Sequence, residues 1–190
     1  MKENKLVILD RDGVINYDSD FYIKSPEEWK PIEPSLRAIA KLNRAGYKVA
    51  IATNQSGIGR GMFDSVTLAM IHKKMEMALA NVGAHIDAIE YCPDHPDNAG
   101  PNRKPQPGML NSLIKQFDAD PSATWYIGDS ITDLECAINA NCQPVLVLTG
   151  KEKQEINRLN NKKVLNFNDL SAAVDEILKL SNLENNKPLL

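Results

Sequence analysis

Short apolar runs alternate with longer amphipathic segments along most of the chain. The first run, from Leu6 to Leu9, holds four apolar residues in succession, which is too short for a helix and typical of a strand buried on both faces of a parallel sheet. Strands that alternate with helices pair in parallel, so the pattern predicts an α/β fold: a doubly wound, Rossmann-like parallel sheet of about five strands with helices on both faces. The four further strands are predicted at residues 47–52, 86–91, 124–127 and 145–148.

The segments between the runs carry the signals of helices and loops. Ser35 is placed to cap a helix that ends at Gly46, and Asp64 to Val82 keeps amphipathic spacing until Gly83. On this second helix we interpret the methionines at positions 70, 75 and 77 as packing residues, and His72, which lies among lysines, as solvated. Further helices are predicted at residues 109–117, 131–140, 151–161 and 169–180, and loops at residues 17–34, 57–61 and 92–107.

Size and charge narrow the classes of protein to which the chain can belong. Its 190 residues, 43% of them apolar, predict one domain over residues 1–190, without a separate cap domain and with a frayed end after Ser181. The net charge of −3 gives no general attraction to nucleic acid or to an anionic membrane. No apolar run has the length of a membrane span and no secretory segment is recognisable, so we expect a cytoplasmic protein. We also expect it to be a monomer.

Two aspartates follow the first predicted strand directly. Asp10 and Asp12 are two residues apart, so their carboxylates share one side if the chain stays extended, and Gly13 lets the backbone turn away sharply. Two close carboxylates repel each other unless a proton or a cation lies between them, which favours a hard ion such as Mg²⁺. Taken alone, this pair is more typical of aspartates that cap the next helix.

Polar residues also follow the other predicted strands. Thr53 and Asn54 come after the second strand, Arg103 and Lys104 lie in the loop after the third, and Asp129 with Asp133 follows the fourth. The carboxyl ends of parallel strands meet at one edge of a sheet, where ligands bind. The set suits a phosphoryl group: one carboxylate can accept it, a second can transfer protons, and a hydroxyl and an ammonium can neutralise its oxygens.

Four motifs in this order identify a known superfamily. The sequences D-R-D-G at Asp10, T-N-Q at Thr53, R-K-P at Arg103 and G-D-S-x-x-D at Gly128 resemble the motifs of the haloacid dehalogenase (HAD) superfamily of phosphatases. The resemblance implies that Asp10 is the nucleophile, Asp12 the general acid and base, and Thr53 and Lys104 the groups that stabilise the phosphoryl group. It also implies a Mg²⁺ ion bound by Asp10, Asp129 and the backbone carbonyl of Asp12.

Longer stretches resemble one family within that superfamily. The segments D-R-D-G-V-I-N, T-N-Q-S-G-I-G-R-G, Y-C-P-x-H-P and R-K-P-x-P-G-M resemble the D-glycero-D-manno-heptose 1,7-bisphosphate 7-phosphatases, which lack a cap domain and act in lipopolysaccharide core synthesis. A bidentate guanidinium at Arg103 suits the second phosphate of such a sugar bisphosphate. The residues that the resemblance places in contact with substrate are Arg11, Asp18, Ser19, Asp20, Phe21, Asn54, Gln55, Ser56, Arg103, Lys104 and Ser130.

The chain departs from the family pattern in two places. Many members bind a structural zinc ion in the loop before R-K-P, but here only Cys92 and His95 are plausible ligands, and two ligands do not close a tetrahedral site. We therefore expect a zinc-free loop that its prolines make rigid. Ser130 stands where related enzymes carry lysine, and the loss of that cation could weaken phosphate binding.

Three other functions compete with this interpretation. The nearest is a phosphatase for histidinol phosphate or another small phosphomonoester, since such enzymes form a branch of the same superfamily and share its chemistry. A signalling receiver domain also presents aspartates at a parallel sheet edge, but its phosphoacceptor lies on a middle strand, whereas Asp10 follows the first. A catalytically silent sugar-phosphate binding module would not need the complete set of reactive residues present here.

Overall fold

The computed structural model describes residues 4–150 and 164–185, and it contains one parallel sheet. The strands lie side by side in the order β3-β2-β1-β4-β5-β6, so the predicted α/β fold with a doubly wound sheet is confirmed and gains an edge strand, β6. β1 is central and pairs with β2 on one side and β4 on the other. The strands are β1 (Leu6–Leu9), β2 (Lys48–Asn54), β3 (Ala88–Cys92), β4 (Trp125–Gly128), β5 (Gln143–Val147) and β6 (Leu165–Phe167).

Helices cover both faces of the sheet. α1, α3 and α6 pack on one face, and α4 and α5 pack on the other. Side chains of β1 alternate between the two cores, with Val7 and Leu9 on the first face and Leu6 and Ile8 on the second, as the period of a strand requires. The helices are α1 (Glu33–Arg44), α2 (Ser56–Gly59), α3 (Ser65–Ala80), α4 (Gly108–Phe117), α5 (Ile131–Asn139) and α6 (Leu170–Asn185).

Several helix boundaries differ from the sequence prediction. α1 begins at Glu33, since Pro34 suits a first helical turn, and Ser35 is not its cap. The buried hydroxyl of Ser35 instead donates to the carbonyl of Val14 at 2.7 Å, which ties α1 to the loop after β1. The short helix α2 at residues 56–59 overlaps the loop predicted at residues 57–61, and Asp64 caps α3 by accepting from the N–H of Thr67.

The interpretation of α3 is wrong at three positions. Met75 packs in the core, but Met70 and Met77 are 49% and 61% exposed, and His72 is buried. At the carboxyl end, α6 extends to Asn185, five residues beyond its predicted end. The helix predicted at residues 151–161 lies outside the described residues. Within the described part of the chain, no helix is both long enough and apolar enough to cross a bilayer.

Candidate active site

The carboxyl ends of the central strands form a cleft of about 360 Å³. Asp10 follows β1, Thr53 lies at the end of β2 and Asp129 follows β4, and all three line this cleft. Lys104 reaches Asp10 from the loop between β3 and α4. The structure therefore brings together residues from all four sequence motifs.

Lys104 is a buried cation beside Asp10, at 4% exposure. Its ammonium lies 2.9 Å from Oδ1 of Asp10, 2.7 Å from Oδ1 of Asp133 and 3.0 Å from the hydroxyl oxygen of Tyr126. Burial opposes its charge, but the carboxylates of Asp10 and Asp133 outweigh that cost and raise the pKa of Lys104 above its ordinary value. The ammonium is therefore a fixed positive charge beside Asp10.

Asp133 is a buried anion whose oxygens are fully engaged by donors. One oxygen accepts from Lys104 and from the Tyr126 hydroxyl, and the other accepts from the Ser130 hydroxyl and from the N–H groups of Asp129 and Ser130. Although burial alone would raise it, the pKa of Asp133 is lowered by Lys104 and these hydrogen bonds. Asp133 and Ser130 also form a capping box, a signal that the S-x-x-D spacing already carried.

Carboxylates form the candidate metal centre. Among the described residues, oxygens of Asp10, Asp129 and Asp133 lie within 4.8 Å of one another. Because Asp133 is already saturated with donors, Asp10 and Asp129 are the two that a cation would meet. Burial raises the pKa of Asp10 to about 7 against the opposing charge of Lys104. Burial, with the charges of Asp10 and Asp133, raises the pKa of Asp129 to about 9. This excess of negative charge fits a hard divalent cation.

Two glycines lie against the carboxylate of Asp129. A Cβ atom on either Gly13 or Gly150 would overlap the carboxylate of Asp129, so only glycine allows the backbone to approach it this closely. Gly13 also has φ +79°, in the left-handed region that favours glycine. The Thr149 hydroxyl donates to the Gly13 carbonyl at 2.5 Å and connects the loop after β1 to the loop after β5. The fit of a cation at Asp129 therefore depends on both loops.

Asp12 is held by several donors at the edge of the cleft. Its carboxylate accepts from two guanidinium nitrogens of Arg11, from Asn16 at 2.8 Å and from Gln55 at 2.9 Å. Burial raises its pKa, but the charge of Arg11 and these hydrogen bonds lower the pKa of Asp12 overall. Gln55 also donates to Thr53 Oγ1 at 3.1 Å, so the proton of the Thr53 hydroxyl remains available for an oxygen in the cleft.

Arg11 and His72 form a pair behind Asp12. The Arg11 side chain has no exposed surface and holds the Asp12 carboxylate, so the substrate contact of Arg11 stays a prediction. His72 Nε2 lies 3.4 Å from Arg11 Nη1. The prediction that His72 is solvated is wrong, and the sequence held a signal against it, because the spacing of Leu68, His72 and Met75 places all three on one face of α3.

The burial of His72 makes stability depend on pH. Burial and the charge of Arg11 lower the pKa of His72 to about 4, whereas an unfolded histidine titrates near 6.5. The contribution of neutral His72 to the free energy of unfolding is complete above pH 6.5. It falls as the pH decreases toward 4, because the unfolded chain then binds a proton that the folded chain does not. We expect the wild type to lose about 2 kcal/mol of unfolding free energy relative to His72→Gln between pH 7 and pH 5.

Urea unfolding of both proteins at several pH values measures this difference. His85→Gln, which removes an imidazole that is 63% exposed, controls for the loss of a histidine. Parallel stability curves for the wild type and His72→Gln would contradict the assignment.

The segment after β1 forms the opposite wall of the cleft. Asp18, Ser19 and Asp20 line it, whereas Phe21 is 78% exposed and lines a neighbouring hollow, and the substrate contacts of all four stay predictions. Tyr22, which sequence reasoning did not select, also lines the cleft, with φ +64°. No short motif marked it, and its place follows from the turn at residues 19–22.

A second hollow of about 270 Å³ adjoins Asp10. Arg103 lines it, and its Nη1 donates to the carbonyl of Asp94 at 3.0 Å. Asn54 bridges this loop to β2 through two hydrogen bonds with the backbone of Lys104, at 3.1 and 3.2 Å. The cleft and this second hollow share Asp10, Asn54 and Ser130 in their walls, so a molecule with two charged ends could extend from one into the other.

Four further residues that the sequence singled out are Ser130, Ser56, Cys92 and His95, of which Ser130 lines the cleft. The Ser130 hydroxyl is held by Asp133, and Ser56 is buried as the first residue of α2. Cys92 is buried, and burial raises the pKa of its thiol. His95 accepts through Nδ1 from the N–H of Asp97 at 3.2 Å. The zinc-free loop stays a prediction.

Comparison with known proteins places this geometry in a family. A family model described as HAD-hydrolase-like matches residues 101–173. The chain is 47% identical to D-glycero-β-D-manno-heptose-1,7-bisphosphate 7-phosphatase of Pseudomonas aeruginosa over 174 residues, which cover 92% of this chain and 98% of that protein. A protein of the same name from Neisseria meningitidis is 48% identical over 155 residues, 81% of this chain and 82% of that one.

A solved structure agrees with the sequence match. The crystal structure of D,D-heptose 1,7-bisphosphate phosphatase from Bordetella bronchiseptica, complexed with magnesium and phosphate, superposes with a TM-score of 0.89 at 44% identity, over 93% of this chain and 99% of that one. Relatives this similar over nearly their full length share both the fold and the reaction class. The chain therefore belongs to the HAD superfamily of phosphatases, in the family of the heptose-1,7-bisphosphate 7-phosphatases.

Proposed function

We propose that this phosphatase removes the 7-phosphate of D-glycero-D-manno-heptose 1,7-bisphosphate, with Mg²⁺ and through an aspartyl-phosphate intermediate. The observation that carries the proposal is the Asp10 carboxylate, which lies beside Lys104 and Asp129 in a cleft that continues toward Arg103. The near-full-length relatives named for this substrate support it. Such an activity would act in the cytoplasm, in the heptose branch of lipopolysaccharide core synthesis that the family resemblance implies.

Asp10 is the proposed nucleophile because of how its oxygens are occupied. Oδ1 accepts both from the Arg11 N–H at 2.8 Å and from Lys104, which leaves Oδ2 to attack phosphorus. Attack forms an Asp10–phosphate bond and breaks the bond from phosphorus to the sugar oxygen. A Mg²⁺ ion held by Asp10, Asp129 and the Asp12 carbonyl would offset the negative charge of the phosphoryl oxygens.

Asp12 and Thr53 supply the remaining chemistry. Asp12 lines the same cleft and would protonate the leaving sugar oxygen, then take a proton from the water that hydrolyses the intermediate. For this Asp12 must carry a proton when the substrate binds, so it must exchange the hydrogen bonds of Arg11 and Gln55, which lower its pKa, for a bond to the substrate. The free proton of the Thr53 hydroxyl can be donated to a phosphoryl oxygen, and the positive charge of Lys104 beside Asp10 would stabilise the phosphoryl oxygens.

Arg103 is proposed to bind the phosphate at the far end of the sugar. We expect Arg103→Ala to raise KM for heptose 1,7-bisphosphate about 30-fold and to change KM for a phenyl phosphate less than threefold, because a charge-assisted bidentate contact contributes about 2 kcal/mol. Arg103→Lys keeps the charge without the bidentate geometry and is the matched control, with an intermediate KM. An equal loss of kcat/KM on both substrates would exclude this role.

The substrate itself is tested with a panel of phosphomonoesters. We expect kcat/KM for heptose 1,7-bisphosphate to exceed that for histidinol phosphate and phenyl phosphate about 100-fold or more, which corresponds to about 2.7 kcal/mol of differential transition-state binding. Similar kcat/KM values for all three substrates would mean that this HAD phosphatase has a different substrate.

A further inference from the structure

Tyr126 lies directly beneath the reacting groups. It is a residue of β4 whose side chain points into the core between the sheet and the helices α4 and α5, and it is 1% exposed. Its hydroxyl oxygen lies 3.0 Å from Nζ of Lys104, 2.9 Å from Oδ1 of Asp133 and 3.2 Å from the carbonyl of Ala52. Three polar groups of the site therefore converge on one phenol that the mechanism above does not use.

The hydrogen bonds around Lys104 can be counted. An ammonium has three N–H donors, and here the acceptors are Asp10, Asp133 and the Tyr126 oxygen. The hydroxyl accepts from Lys104, so its own proton goes to Asp133 or to the Ala52 carbonyl. Tyr126 thus contacts Lys104 through its hydroxyl.

We propose that Tyr126 is a positioning residue that fixes the Lys104 ammonium beside Asp10. A lysine side chain is a flexible stem with a rotatable head, and Lys104 comes from a loop, so its direction must be set by what its head contacts. Tyr126 lies on a central strand and supplies a rigid third support. This inference rests on the proposed role of Lys104 at the phosphoryl group.

Tyr126→Phe is the direct test, because it removes the hydroxyl and keeps the ring. We expect kcat for phenyl phosphate to fall about tenfold with KM unchanged within about twofold, because a displaced ammonium weakens the transition state rather than ground-state binding. Thr124→Val is the matched control. It removes another fully buried hydroxyl at the start of the same strand, where Thr124 donates to the Asp120 carbonyl at 2.8 Å.

The control separates positioning from stability. Both variants are expected to lower Tm by a few degrees, but only Tyr126→Phe should lower kcat when both are assayed well below Tm. Unchanged kcat in Tyr126→Phe, or an equal fall in both variants, would overturn the inference. A wild type that releases no phosphate would refute the proposed function instead. The affinity for orthovanadate, which mimics the transition state of phosphoryl transfer, would then test the inference, with weaker binding expected in Tyr126→Phe than in Thr124→Val and equal binding overturning it.

Discussion

Asp10→Asn is expected to reduce phosphate release by about 10⁴-fold or more while the protein remains folded. The amide has the shape of the carboxylate but lacks an anionic oxygen, so no covalent intermediate can form. The fold should tolerate the change, because the carboxylate is buried among other acids and its pKa is raised to about 7 by that burial. Lys104 keeps Asp133 as its charged partner in the variant.

Turnover and thermal unfolding of purified Asp10→Asn measure both parts of this expectation. Asp175→Asn is the matched control, since it makes the same chemical change on an exposed carboxylate of α6, distant from the cleft. We expect wild-type kcat for the control and a change in Tm of no more than a few degrees for Asp10→Asn. Residual turnover near 1% of wild type would place the nucleophile elsewhere.

Gly13→Ala is expected to disable the enzyme through Asp129. The alanine must adopt φ near +79°, and its Cβ would meet the Asp129 carboxylate, which must then move away. Gly83→Ala introduces a similar φ of +69° where no atom lies within 4 Å of the new Cβ. The backbone cost of about 1–2 kcal/mol is therefore common to both variants, and the displacement of Asp129 belongs to Gly13→Ala alone.

Activity across a Mg²⁺ titration distinguishes these two variants. We expect Gly83→Ala to keep its kcat, and Gly13→Ala to need about 100-fold more Mg²⁺ for half-maximal activity or to show no activity at all. Equal Mg²⁺ requirements in both variants would mean that Asp129 does not hold the ion.

The sequence predicted the location of the site better than its internal contacts. Asp10, Thr53 and Asp129 could be assigned to one cleft because each follows a run of buried residues, and parallel strands bring their carboxyl ends together. Lys104 could be selected as a cation in the loop after the third strand, but its contact with Asp10 could not be predicted, since no periodicity defines the path of that loop. The cleft was therefore predictable from the fold class and from four short motifs.

The partners of these groups were not predictable in the same way. Tyr126 and Asp133 contact Lys104 across 22 and 29 residues of sequence, and such a contact depends on which faces of β4 and α5 meet the loop. The contact of the Arg11 side chain with His72 on α3 likewise spans 61 residues of sequence. Long-range polar contacts of this kind become visible only when the packed elements are known.

The most direct test of the proposed function is the ³¹P NMR spectrum of heptose 1,7-bisphosphate during turnover. With Mg²⁺ and wild-type enzyme, we predict that the 7-phosphate signal decreases as inorganic phosphate appears, while the signal of the 1-phosphate remains with the sugar. Without Mg²⁺, and with Asp10→Asn, the spectrum should not change. Loss of the 1-phosphate, or of both phosphates at equal rates, would contradict the proposed function.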